Sequence, residues 1–107
     1  MRVIFHEDFH QSFYSDDEFD NGAAEGRLVN LMATLRDDGR YELAVPAPAT
    51  RADLLRAHTE AHIATIEAKP RLFAMACLAA GAAILASDLA LQGEPSFACL
   101  RPPGHHA

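Results

Sequence analysis

Three short apolar runs separated by helical patterns predict an α/β domain, a parallel sheet with helices on both faces. The runs are Val3-Ile4-Phe5, Tyr41-Glu42-Leu43-Ala44-Val45 and Ser96-Phe97-Ala98-Cys99-Leu100. At 107 residues the chain is one domain at most, covering 1–107. Right-handed crossovers would bring the strand C-termini to a common edge, where the ligand sites of open α/β sheets gather. The loops that matter are therefore His6-Glu7-Asp8 after the first strand and Arg101 to His106 after the third.

The first strand leads into an acidic loop bearing Phe and Tyr that runs from His6 to about Gly22. Leu28, Leu31, Met32 and Leu35 then fall at i, i+3, i+4 and i+7, an apolar helical face, and Gly39 is placed to stop that helix after Asp37-Asp38. The second strand leaves through Pro46-Ala47-Pro48, a stiff connector. Thr50 with Asp53 has the spacing of a capping box for a short helix, and Thr59 can cap another that runs to about Lys69, with Pro70 breaking the pattern. Leu72 to Leu91 is almost wholly apolar and rich in Ala. It has the length of a bilayer span, but its Ala and Gly add little hydrophobicity, Asp88 is costly in lipid and basic flanks are sparse, so a buried helix is expected. Gly93-Glu94-Pro95 turns the chain into the third strand.

A net charge of −6 and a pI near 5.4 argue against nucleic acid as a partner. No signal-peptide pattern follows Met1, so a cytoplasmic location is expected, and neither nucleic acid nor membrane is expected to bind. Cys77 and Cys99 lie in apolar runs without metal-type spacing and read as buried free thiols.

Chemistry concentrates in Arg101-Pro102-Pro103-Gly104-His105-His106-Ala107. Imidazole alone titrates near neutrality without perturbation, so it can take and return a proton within one cycle. Two adjacent imidazoles allow a division of labour, one deprotonating an attacking water while the other stabilises charge or protonates a leaving amine. Pro102 and Pro103 stiffen the approach, and Gly104 lets backbone pass close to a substrate. Spacing alone leaves open a solvated turn with two incidental histidines.

Other patterns are weaker. His6-Glu7-Asp8-Phe9-His10 matches H-E-x-x-H, yet it follows a strand where that zinc motif needs an established helix and no third ligand is obvious, so a polar loop is the preferred reading. His58 and His62 are also i, i+4, but Thr59 breaks the helix between them and no carboxylate or Cys partner is evident, which favours packing or surface roles. Asp16-Asp17-Glu18 and Asp20 lack the alternating ligands of a calcium loop and read as solvated. Phe5, Phe9, Phe13, Tyr14 and Phe19 read as a satellite core rather than a substrate groove.

The segment Phe97 to Ala107, and RPPGHHA within it, resembles the active-site motif of the metal-dependent deacetylases: histone deacetylases of the class II type, acetylpolyamine amidohydrolases and acetoin-utilisation proteins. The likeness extends more loosely to MRVIFHEDF, the Pro-rich connector, LLRAHTEAHI with its Leu-x-x-x-His stretch, and the Ala-rich helix through Gly81 and Ala82. It implies an arginase-like three-layer α/β fold, here its first three strands in order 2-1-3. It also implies hydrolysis of acetyl-amide bonds in acetyl-lysine or an acetylated small molecule such as an acetylpolyamine. His105 and His106 would be the tandem catalytic histidines, with Pro103 and Gly104 at the substrate. The family's zinc ligands, an Asp-x-His pair and a further Asp, and its carbonyl-polarising donor lie downstream of this motif and are not among these residues. The segment from Ile66 to Phe73 is also shorter than in many members. Zinc is thus implied for the complete enzyme, with none expected on this chain, and the 107 residues by themselves are expected to be inactive. The alternative is a non-catalytic binding or assembly module. In either case the third strand would have an unpaired edge, so self-association is expected through that edge or in place of the missing C-terminal segment.

Overall fold

The computed structural model describes residues 1–11 and 25–101. Its elements are β1 (Arg2–Ile4), a single 3₁₀ turn (Glu7–His10), α1 (Val29–Asp38), β2 (Glu42–Ala44), α2 (Arg51–Leu54), α3 (Glu60–Glu67), α4 (Pro70–Leu91) and β3 (Ser96–Ala98). The strands form one parallel sheet in the order β2-β1-β3. Val3 lies level with Leu43 on one side and Phe97 on the other. Backbone bonds from Phe5 N to Ala44 O (3.0 Å) and from Cys99 N to Ile4 O (2.9 Å) extend the ladders past the strand ends.

Strand alternation divides the core between the two faces. The Ser96 hydroxyl donates to the Ala86 carbonyl of α4 at 2.8 Å, which marks the face shared by Ile4 and Ala98 as the one α4 covers. Leu78, Ala79, Ala82 and Leu89 of α4 are buried there. Val3 and Phe5 point the other way, toward α1, whose Arg36 guanidinium stands 5.6 Å from the centre of the Phe5 ring. Met32, only 1% exposed, anchors α1 in the core, an interaction worth about 1.5–3 kcal/mol of burial.

Local chemistry explains most element boundaries. Gly39 adopts φ +70° and ends α1 in the left-handed cap that a Cβ disfavours. Thr50 and Asp53 form the expected capping box: the Asp53 amide donates to Thr50 Oγ1 at 3.2 Å, and the Thr50 amide donates to Asp53 Oδ2 at 2.9 Å. Thr59 caps α3 through the His62 amide.

Three features refine the expectations from the sequence. Pro70 does break the helical pattern, α3 ending at Glu67, and it is also the first residue of α4, because a helix's first turn has no use for the missing N–H. Leu31 faces outward at 42% exposure, so the stripe on α1 reduces to Met32 with Leu28 and Leu35 packed beside it. The second strand pairs only over Glu42–Ala44.

Helix α4 is long and apolar enough to cross a membrane, and in this fold it is the central core helix, packed on β1, β3 and α3. The Pro46–Ala49 connector crosses it closely: the Ala49 amide donates to the Cys77 carbonyl at 2.8 Å, directly over Gly81.

Candidate functional site

The parallel sheet brings the segments after β1 and β3 to its C-terminal edge. After β1, His6 acts as the N-cap of the 3₁₀ turn, its Nδ1 accepting the Asp8 amide at 3.1 Å. Glu7 receives the Arg36 guanidinium from α1 and also lies 3.7 Å from His10 Nε2. The His10 ring packs 5.0 Å from that of Phe5, and its Nδ1 is buried with no hydrogen-bond partner among the described residues. This single turn does not form the helical H-E-x-x-H arrangement, since one of its two histidines spends a ring nitrogen on capping.

After β3 the chain passes through buried Cys99 to Arg101, which is itself buried. In the sequence Arg101 is the opening letter of a motif. Its burial places a guanidinium inside the protein at the root of that segment, and a cation directly after an apolar strand is the signal the sequence offers. Pro103, Gly104, His105 and His106 lie outside the described residues, as do Phe13, Tyr14, Asp16, Asp17, Glu18, Phe19 and Asp20.

Both cysteines are free and buried, and burial pushes each thiol above its usual range, with Glu67 adding to the effect at Cys77. Neither is poised as a thiolate nucleophile or ligand. His58 and His62 are exposed, yet the break at Thr59 does not separate them: their ring centres stand 5.0 Å apart.

Residues 23–107 match the histone deacetylase domain. The chain belongs to the histone deacetylase family. That match takes in the LLRAHTEAHI segment, the Gly81 crossing and RPPGHHA. The chain is also 32% identical, over 128 aligned residues, to a protein of Archaeoglobus fulgidus described as a probable deacetylase. This alignment covers 98% of the chain and 34% of the archaeal protein, so the chain spans about a third of that relative's length. It reaches the MRVIFHEDF strand and turn, which precede the family-domain match.

Deacetylases of this family are hydrolases and in general depend on zinc. Among the described residues no three His, Cys, Asp and Glu side chains converge, so these residues do not fit the family's catalytic zinc, which needs about three protein ligands.

Proposed function

We propose that this chain is the N-terminal portion of a zinc-dependent deacetylase acting on acetyl-lysine or acetylpolyamine-type amides, with His105 and His106 as its proton-transfer pair. The observation that carries the reading is the delivery of Arg101, at the root of RPPGHHA, to the C-terminal edge of a parallel sheet. There the neutral imidazole of one histidine would accept a proton from the attacking water as its oxygen bonds to the acetyl carbon. The C–N bond then breaks, and a protonated imidazole returns a proton to the departing amine, leaving acetate and free amine. Pro103 and Gly104 would hold the acetyl group against this pair. Zinc in the complete enzyme supplies Lewis-acid polarisation, and its ligands lie outside these residues. The complete domain would continue the three-strand sheet into the arginase-like fold, in the cytoplasm.

Assay of the chain with zinc and an acetyl-lysine peptide or acetylpolyamine tests the proposal. No turnover is expected from the chain alone, and turnover is expected once the missing C-terminal portion is added. In that complete enzyme, His105→Ala or His106→Ala should each lower kcat about 10²–10⁴-fold. Activity unchanged by either substitution would overturn the assignment.

A second reading, a self-associating non-catalytic module, draws on β3, which has no partner on its outer edge among the described residues and carries Phe97 at 51% exposure. Sedimentation of the chain as a dimer or larger species, with no activity gained on adding the C-terminal portion, would favour it.

A further inference from the structure

His58 and His62 meet at a corner held by the backbone. The His58 amide donates to the Leu54 carbonyl at 3.0 Å, and the His62 amide donates to Thr59 Oγ1 at 3.2 Å, so both Cα positions are set by short-range bonds. Their rings are 5.0 Å apart at a 33° tilt, and neither ring makes a hydrogen bond or ion pair with another described residue. Glu60, between them, is drawn to Arg51, which also holds Glu67 at 3.1 Å. Arg51 is therefore matched by two carboxylates, and the imidazoles are exposed on a chain whose net charge is −6.

The separation suits shared coordination. With N–metal bonds of about 2.0–2.1 Å, each ring centre lies about 3 Å from an ion, and a tetrahedral angle then spaces the two centres about 5 Å apart. Imidazole nitrogen suits borderline divalent ions such as Zn²⁺, Ni²⁺ and Cu²⁺. We propose that His58 and His62 chelate one such ion at the α2–α3 corner, with water filling the remaining positions. This site is separate from the deacetylase centre and independent of that reading.

Titration of the chain with Zn²⁺ alone in mildly alkaline buffer, followed by calorimetry and by the histidine ring resonances, tests it. One equivalent should shift the His58 and His62 signals together, and acidification should reverse the shift as protons compete for the same nitrogens. His58→Ala or His62→Ala should each weaken this event at least about tenfold, the lower end of what disturbing a metal-site shell costs. The His105→Ala/His106→Ala double variant should retain it. Immobile His58 and His62 signals through the titration would overturn the proposal, as would loss of the event only in the His105/His106 double variant.

Discussion

Gly81→Ala isolates what the connector crossing contributes to the fold. A Cβ built on Gly81 would stand 1.9 Å from the Ala47 carbonyl oxygen and 2.9 Å from the Ala49 amide nitrogen. Both are backbone atoms, so no side-chain rotation relieves the clash, and either the connector or α4 must shift by more than an ångström. That shift also stretches the 2.8 Å bond from the Ala49 amide to the Cys77 carbonyl. Two effects oppose each other. Replacing a mid-helix glycine with alanine gains about 1 kcal/mol of helix propensity. Overpacking costs about 1–3 kcal/mol or somewhat more, and a weakened hydrogen bond about 1 kcal/mol further. The net expectation is destabilisation by about 2 kcal/mol, read from urea unfolding followed by far-ultraviolet circular dichroism. Ala83→Gly, on the exposed side of the same helix, serves as the calibration and should lose about 1 kcal/mol from propensity alone. If Gly81→Ala instead raises stability by about 1 kcal/mol, as an unobstructed helical glycine would, the close crossing is wrong.

Three other outcomes follow from the same structure. Hydrogen bonds from the Thr50 amide and hydroxyl hold the Asp53 carboxyl below its usual range, so its folded pKa is depressed. The cap's contribution is then fully present above the ordinary carboxylate pKa and fades as pH falls through the depressed value; Asp53→Asn should flatten that part of the acid-side stability profile. Thr50→Ala should cost about 1 kcal/mol at neutral pH in the same unfolding assay. Burial raises the Cys99 and Cys77 thiol pKa values, so iodoacetamide should modify both slowly in the native chain and much faster in urea; rapid native labelling would contradict the packing around them.

Much of this fold is legible locally. Thr50 with Asp53, Thr59 and Gly39 mark helix ends through bonds and dihedrals that involve only neighbouring residues, and each marks the end it implies. Pro70 shows the limit of such reading, since the proline marks the break after α3 without stating that the next helix opens on the proline itself. The parallel order 2-1-3 followed from family likeness, because three short apolar runs do not by themselves state who pairs with whom. Gly81 looked like one more small residue in an Ala-rich helix, and the connector that requires it lies far away in sequence. At the candidate site, RPPGHHA carried the family assignment from seven residues, whereas the burial of Arg101 and the meeting of His58 with His62 depend on tertiary geometry that no spacing rule encodes.

The pairing of β1 with β3 has a consequence for biosynthesis. Arg2 leaves the ribosome well ahead of its ladder partner Ser96, which follows only after β2 and all four helices between them have been made. During that interval β1 can pair with β2 alone, leaving Ile4 and Val3 without their full cover, while α4 can begin to coil as soon as it emerges. Closing so long a loop is entropically slow, so the nascent chain passes through a stage in which its most apolar strand is exposed and open to chaperone capture or mispairing.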